Sequence, residues 1–428
     1  MKTILAIKCG RLINGTGADP LPDATLIIEG SRIIEIGENL STPQDAKVLD
    51  ASNRVVLPGL IDGHVHLNMD VGMSASQQLL ASDAEVTLRA AKNARLTLEA
   101  GYTSILGNCG FGHYADLFLK HAIDTGWLPG PRLFTSGPQV TSTLRLGTCL
   151  KYGFPLLPFQ VADGDEEMRK LVRRHIVSGV DWIKALATYD ISSLNGEPAL
   201  RNVTPSELEV IVEETHSQKR KVKAHLKGRE TTKAALRAGI DVALHGFALD
   251  DDDVELMRRT GVTLIPTLAW MGEALRTSAS GLSDWYLNKT KRYSASHIAS
   301  FKRAHAAEVL IAAGTDCSGG GTTGDFLHHG DNAKELEYLV RYGFTPMNAI
   351  IAATNNVAHA FGLSHLLGTL EPGKLADLLI IKGDPLDDIT ILQDHSRIET
   401  IIKNGELAAT HGVARAFVCP SLQPYSES

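Results

Sequence analysis

The chain has 428 residues, a charged fraction of 21% and a formal net charge of -7. This length allows a large hydrophobic core, and an α/β barrel can take up most of it in one domain. The mildly negative charge argues against nucleic acid or an anionic membrane as the main partner, because neither would be attracted. No run of about 18 apolar residues occurs, so we expect no membrane-spanning helix.

The cysteine content predicts the compartment. The five cysteines are widely spaced and none forms a CxxC pair, which is typical of a reduced, cytoplasmic protein. Near the start, Lys8 interrupts the apolar run after five residues, so we predict an opening β-strand and not a signal peptide.

Both ends of the chain read as short strands. Apolar or alternating stretches lie at 4–13, 24–28 and 32–36, and again at 376–381 and 399–402. Two β-rich ends bracket a long middle. The pattern predicts a small β-sandwich domain built from both termini, residues 1–57 plus 366–420.

The middle, residues 58–365, alternates short apolar runs with helical stretches, the pattern of successive βα units. Eight such units favour an α/β fold closed as a (β/α)8 TIM-like barrel. The candidate strands are 60–66, 103–107, 132–136, 182–186, 221–225, 242–245, 263–267 and 310–316.

Helix boundaries in this middle are marked by their own residues. The helical pattern that begins at Asp83 ends before Gly101, a plausible C-cap. Thr204 precedes Pro205 and an acid at the third helical position, which predicts a helix start.

The first candidate strand ends in the pair His64 and His66. Residues at i and i+2 on a strand point to the same face, so their imidazoles lie side by side, as chelation of one cation requires. The neighbouring Gly59 and Gly63 let the backbone bend closely around a metal. A lone His-x-His is as often ordinary core packing, but the flanking Gly-Leu-Ile-Asp-Gly favours ligands.

Four further groups lie at or near the ends of later candidate strands: Lys184 on the fourth, His225 on the fifth, His245 on the sixth and Asp316 on the eighth. Active sites of barrels lie at the carboxyl ends of their strands. The six groups therefore converge on one ring. Imidazole and carboxylate suit zinc and similar divalent ions, and a bound water would have its pKa lowered towards about 7. Asp316 can take the proton of that water and pass it to a leaving nitrogen.

Lys184 is the unusual member of this ring, because an ammonium would be repelled by cations. It is tolerable when neutral, or when CO2 converts it to an anionic carbamate that bridges two metals. The other interpretation is a lysine paired with an acid on the barrel rim. The residues alone leave both open.

The chain resembles the amidohydrolase superfamily over nearly its whole length. Residues 58–66, Pro-Gly-Leu-Ile-Asp-Gly-His-Val-His, are similar to its first-strand signature, and Gly314-Thr315-Asp316 to its last. Residues 367–378 resemble its return into the small β domain. The lysine in Trp182-Ile183-Lys184 resembles the binuclear, carboxylated-lysine branch, with prolidase-like and ochratoxinase-like members that cleave amide bonds.

The resemblance implies roles for the ring. His64, His66 and Asp316 would bind one metal, His225 and His245 a second, and carboxylated Lys184 would bridge them. Asp316, Lys184 and His245 would be the catalytic residues, acting with a metal-bridging hydroxide. Zinc is the expected metal, with manganese or cobalt equally compatible with the ligands. The implied reaction is hydrolysis of an amide bond in an N-acyl amino acid, a dipeptide or an aryl amide.

The chain departs from that branch at three places. Lys227 stands where relatives often have a second histidine, residues 141–147 lack a histidine, and Asn108 lies where many have an Arg-Asp pair. Tyr189 and Lys227 are candidate substrate contacts, Tyr189 as a hydrogen-bond donor and Lys227 as a point charge for a carboxylate. The alternative function is a mononuclear deaminase, or a hydrolase of cyclic amides, carbamates or ureas, with Lys184 structural.

Overall fold

The computed structural model describes residues 3–70, 75–110, 114–146, 160–193, 196–276, 282–319, 326–410 and 413–414. The sandwich range predicted above extends into residues 1–2, 411–412 and 415–420, and the loop 141–147 includes residue 147; all of these lie outside the described residues.

The strands fall into three groups along the chain. Their bounds are β1 (Ile4–Leu12), β2 (Leu21–Glu29), β3 (Arg32–Glu38), β4 (Lys47–Pro58), β5 (Leu60–Val65), β6 (Tyr102–Cys109), β7 (Arg132–Pro138), β8 (Val140–Thr141), β9 (Gln160–Val161), β10 (Ile183–Ala185), β11 (Val222–Leu226), β12 (Val242–His245), β13 (Thr263–Ile265), β14 (Leu378–Ile381), β15 (Ile398–Lys403), β16 (Glu406–Thr410) and β17 (Val413–Ala414).

The helices lie between β5 and β14. The α-helices are α1 (Ala75–Leu80), α2 (Asp83–Glu99), α3 (Ala115–Asp124), α4 (Asp165–Val177), α5 (Pro205–Ser217), α6 (Arg229–Ala238), α7 (Asp251–Thr260), α8 (Leu268–Arg276), α9 (Asp284–Ala306), α10 (Lys334–Arg341), α11 (Pro346–Ala352) and α12 (Asn355–Ala360). Short 3-10 helices occupy Thr143–Leu146, Ile389–Gln393 and His395–Arg397. No helix in the described ranges is long and apolar enough to cross a lipid bilayer.

Strands from both chain ends share one sheet, which we call the terminal sheet, in the order β17-β16-β15-β14-β4-β1-β2-β3. Strand β4 joins the two ends, because it pairs with β1 in parallel and with β14 antiparallel, where Leu57 lies opposite Leu379. Alternate residues of these strands form a buried apolar cluster that includes Ile7, Leu26, Ile28, Val56, Leu378 and Ile380. The sandwich architecture and the exact domain boundaries stay predictions.

The central region is an α/β structure of parallel strands. One sheet has the order β5-β6-β7 and another the order β13-β12-β11-β10-β8-β9, with every pair parallel. Strand β10 also lies against β7, where the Asp181 amide donates to the Thr135 carbonyl at 2.7 Å. Since all these strands run the same way, their carboxyl ends lie at the same side of the structure.

The eighth candidate strand, 310–316, forms single bridges and no ladder. Ile311 pairs with Leu264 of β13, and Cys317, which directly follows the candidate strand, pairs with Val65 of β5. Both bridges are parallel. Between these points the Ala313 amide donates to the Ala352 carbonyl at 2.9 Å, so it is unavailable to a neighbouring strand. The segment nevertheless connects the outer strands of both parallel sheets.

The predicted helix boundaries are confirmed. Helix α2 begins after Ser82, whose side chain accepts from the Glu85 amide, and Thr204 forms a reciprocal capping box with Glu207 at the start of α5. These caps satisfy amides that the first helical turn leaves without partners.

Candidate metal centre

The predicted ligands lie where the parallel strands end. His64 lies in β5 and His66 directly follows it; Lys184, His225 and His245 lie in β10, β11 and β12. Asp316 comes from the bridging segment, where its amide donates to the His64 carbonyl at 2.7 Å. Strand direction therefore brings residues from distant parts of the chain to one side of the central region.

His64, His66 and Asp316 form a compact cluster. The Nε2 atoms of both histidines lie 3.2 Å from Asp316 Oδ1. One ligand atom from each of the three residues falls within 4.8 Å of the others, and all three are buried. The i, i+2 spacing on β5 produces this arrangement, since it places both imidazoles on the face that meets Asp316.

His225 and His245 form a second pair beside this cluster. Their ring centroids lie 4.4 Å apart, and the His64 and His245 rings are 5.5 Å apart. The other carboxylate oxygen of Asp316 faces this pair, with His245 Nδ1 at 3.9 Å from Oδ2. Asp316 thus lies between two imidazole pairs.

Three buried polar atoms of the ring have no hydrogen-bond partner among the residues that the structure describes: His66 Nδ1, Lys184 Nζ and His245 Nε2. Buried polar groups in folded proteins are nearly always satisfied, so each exception calls for an explanation. A cation fits His245 Nε2, because it would accept the lone pair that hydrogen bonding leaves unused, whereas His66 faces Asp316 with its Nε2.

Two residues orient these histidines. Thr267 Oγ1 lies 2.8 Å from His245 Nδ1, a contact that fixes the orientation of this imidazole. The amide of Asn108 lies against His64 Nδ1, with 2.6 Å between Nδ2 and Nδ1, and its Oδ1 is buried without a partner. With the amide turned over, Oδ1 accepts from Nδ1–H and leaves Nε2 unprotonated for a cation.

Backbone strain collects at the same place. His245, Thr267 and Asp316 have φ values of 68°, 54° and 58°, in the left-handed region that residues with a Cβ avoid. Such residues cost on the order of 1–3 kcal/mol each and persist where the surroundings hold them for function. All three are residues whose side chains meet at the candidate centre.

Burial keeps the imidazoles neutral. It is the main cause that lowers the pKa of His64, His225 and His245 well below the ordinary value. Burial alone would raise the pKa of Asp316, but the contacts with His64 and His66 outweigh it and hold that pKa well below its usual range. Neutral imidazoles around an ionised carboxylate are the protonation states that bind divalent cations.

The two predicted substrate contacts lie at the rim of this centre. The Tyr189 hydroxyl donates to the Leu144 carbonyl at 2.8 Å, and Lys227 forms an ion pair with Asp190. Their role in binding a substrate stays a prediction.

Sequence reasoning missed Asn108 as an orienting residue, and it missed Thr267 and Asp190. Asn108 and Thr267 lie at or just after the carboxyl ends of β6 and β13, so the strand-end rule that identified the ligands could have identified them too. Asp190 carries no such signal, because it lies in the long loop after β10.

Comparison with known proteins identifies the family. A profile of the Amidohydrolase family matches residues 55–408, most of the chain. The ochratoxinase of Aspergillus niger is 31% identical over 434 aligned positions, which cover 96% of this chain and 88% of that protein.

Solved structures agree with this match. The crystal structure of A. niger ochratoxinase superposes with a TM-score of 0.84 at 30% identity and covers 95% of this chain and 96% of that one. A Xaa-Pro dipeptidase with methionine bound in its active site has a TM-score of 0.84 at 28% identity, with coverage of 95% and 99%.

Proposed function

Since this chain belongs to the amidohydrolase family and is a hydrolase of carbon–nitrogen bonds, we propose that it cleaves an amide bond with two divalent cations and Asp316 as the proton-transferring group. The substrate class is an N-acyl amino acid, a dipeptide or an aryl amide. The observation that carries the proposal is the position of Asp316 between two imidazole pairs, with three buried polar atoms left unsatisfied around it.

The donor set fits two cations. His64, His66 and Asp316 would hold one, and His225 and His245 the other, with zinc preferred and manganese or cobalt acceptable. When bound, such ions supply a water activated at neutral pH and polarise the substrate carbonyl. Asp316 accepts a proton from the attacking water and donates it to the nitrogen that leaves. His245, held by Thr267, lies beside Asp316.

Lys184 is best explained as a carboxylated lysine. Burial lowers the pKa of Lys184 to about 7, so much of it is a neutral amine at physiological pH. A neutral Nζ can attack CO2, form the carbamate C–N bond and release its proton to water.

The neighbouring Lys223 provides a comparison. It is register partner to Lys184 and equally buried, but its Nζ donates to the Gly63 and Leu106 carbonyls at 3.4 and 3.3 Å and lies 4.9 Å from the Trp182 ring. A structural buried lysine thus finds partners in this region. Lys184 Nζ has no hydrogen-bond partner among the described residues, and this difference supports carboxylation of Lys184.

One observation favours the mononuclear alternative, a deaminase or a hydrolase of cyclic amides, carbamates or ureas. Within the described residues, His64, His66 and Asp316 are the only group of three His, Cys, Asp or Glu side chains close enough to hold an ion. Metal content separates the two. Two equivalents per chain, with both lost in Lys184→Ala, support the binuclear proposal, whereas one equivalent retained in that variant supports the alternative.

The decisive experiment is a hydrolysis screen. Metal-loaded protein is tested against N-acyl amino acids, dipeptides, anilides, carbamates and ureas, with chelated protein and Asp316→Asn as controls. Metal-dependent release of the amine that Asp316→Asn abolishes is the expected result. Full activity under strong chelation, or turnover of carbamates or ureas but of no amide, would refute the proposal.

We also propose that β5–β7, β10–β13 and residues 310–317 form a closed eight-stranded barrel over residues 58–365. The bridges of Ile311 to Leu264 and of Cys317 to Val65 support this closure. A cytoplasmic protein with a small-molecule substrate and no nucleic-acid or membrane partner stays the expectation, and a homo-oligomer is the prior for an enzyme of this kind.

A further inference from the structure

An ion pair borders the second histidine pair. Asp190 Oδ2 lies 3.6 Å from His225 Nε2, and the Tyr189 carbonyl lies 3.3 Å from the same nitrogen. The Lys227 ammonium contacts the same oxygen, Asp190 Oδ2. A leaving amine bound next to His225 would therefore meet this pair.

The two members of the pair are unequally accessible. The Lys227 ammonium lies 4.8 Å from the Phe247 ring centroid and 5.0 Å from that of Trp270, and its side chain is 1% exposed. The Asp190 side chain is 15% exposed. An incoming group therefore meets the acid, while the cation that could attract a carboxylate is enclosed and already neutralised.

The loop that carries Asp190 is held in place. Asp190 Oδ1 accepts from the Ser192 amide at 2.8 Å, and the Asp190 amide donates to Ser193 Oγ at 3.1 Å. Lys289 of α9 donates to the carbonyls of Ser193 and Gly196 at 2.7 and 2.9 Å. A substrate carboxylate could replace Asp190 on Lys227 only by breaking these contacts.

We propose that the Asp190–Lys227 ion pair determines specificity by favouring amides whose leaving amine carries no carboxylate, such as arylamines and simple amines. A carboxylate in that position would lie nearer the Asp190 carboxylate than the enclosed Lys227 ammonium, and like charges at short separations repel. The inference rests on the proposed amide hydrolysis. It narrows the preferred substrates to amides whose leaving amine carries no carboxylate. It replaces the expectation that Lys227 itself binds a carboxylate.

The test uses two probes that differ only in a carboxylate, N-acetyl-L-phenylalanine and N-acetylphenethylamine. Binding to zinc-loaded protein is measured by calorimetry, and kcat/KM is measured for both. The wild type is expected to prefer the neutral probe at least tenfold. Asp190→Asn keeps the side-chain shape and leaves the charge of Lys227 without a counter-charge from Asp190. The variant is expected to shift this preference at least tenfold towards the probe that carries the carboxylate. Asp45→Asn, an exposed acid in the terminal-sheet region, controls for loss of one negative charge.

A double variant closes the argument. In Asp190→Asn/Lys227→Gln the gain for the carboxylate probe is expected to disappear, since no cation remains to attract it. Wild-type preference for N-acetyl-L-phenylalanine, or an unchanged ratio in Asp190→Asn, would overturn the proposal. If neither probe is hydrolysed, the binding ratio still decides the role of the ion pair, and the hydrolysis screen decides the proposed amide hydrolysis separately.

Discussion

At the amino ends of the parallel strands, charged side chains are paired. Asp241, before β12, accepts from the Val222 amide and from His216 Nε2, both at 2.8 Å, and from Lys221 Nζ at 3.3 Å. Asp181, before β10, pairs with Lys120 at 2.7 Å.

At the carboxyl ends, by contrast, three buried polar atoms have no hydrogen-bond partner among the described residues; they belong to His66, Lys184 and His245. Three residues with positive φ lie at the same ends: His245, Thr267 and Asp316. The same strands thus carry paired charged side chains at their amino ends and buried polar atoms without described partners at their carboxyl ends. Leaving a buried polar group unpaired costs roughly 1–3 kcal/mol, so the carboxyl ends carry an energetic penalty that a bound ligand would relieve. The comparison predicts that substitutions at the carboxyl ends alter activity and metal content. Substitutions at the amino ends should alter the free energy of unfolding.

The largest expected effect is that of Asp316→Asn. An amide cannot accept the proton of the attacking water, so kcat should fall by about 10²–10⁴ while metal remains bound. Steady-state kinetics and elemental analysis of the purified variant measure both. Asp241→Asn, the matched change at the amino ends, should keep kcat within a few-fold, and a similar loss in both variants would contradict the contrast between the two ends.

Next in size is Lys184→Ala. Removing the proposed bridging ligand should release both metals and reduce kcat/KM at least 100-fold, because catalysis depends on bound cations. Metal per chain is measured after reconstitution with zinc and bicarbonate. Lys120→Ala removes a paired lysine at the opposite end and should bind metal normally. Two metals retained in Lys184→Ala would exclude the carbamate.

Asn108→Ala tests the orientation of a ligand. Loss of the contact to His64 Nδ1 should lower zinc affinity about 10–100-fold, as is usual for groups that hold a metal-binding histidine. Competition with a chromogenic chelator gives the affinity. An unchanged affinity would mean that β5 alone positions His64.

Lys403, in β15 of the terminal sheet, provides a pH test of a partly buried lysine that has a partner. Its Nζ donates to the Gly130 carbonyl at 2.6 Å, and burial lowers the pKa of Lys403 to about 8. Between pH 8 and 10.5 the unfolded state binds more protons, so the wild type gains stability as pH rises. Relative to Lys403→Met, this gain should reach about 1–3 kcal/mol in urea unfolding at pH 7.5 and 10. A constant difference would contradict it.

The smallest expected effect is on the stability of Asp241→Asn. One oxygen remains to accept from an amide, but the charge that holds His216 and Lys221 is lost, so the free energy of unfolding should fall by about 1 kcal/mol. Urea denaturation measures it. Loss of metal in this variant would show that the two ends are coupled.

Much of the candidate centre followed from one rule. The order of βα units predicts His225 and His245 at strand ends, and the His64-x-His66 spacing predicts a shared face. The eighth strand was only partly right, because the amide of Ala313 bonds outside the sheets and no ladder forms. Asp190 escaped prediction, since its place beside His225 depends on a long loop and on anchoring by Lys289 of α9.

The amino-acid sequence by itself determined the α/β alternation, the helix caps and the six ligand candidates, because each depends on local periodicity or on strand direction. Only the tertiary structure decided that Asp316 lies between two imidazole pairs. It alone decided that Lys184 Nζ has no hydrogen-bond partner among the described residues while Lys223 Nζ has two. It also decided that Asp190 pairs with the enclosed Lys227. These facts depend on packing between segments far apart in the chain, and residue spacing contains no information on such distances.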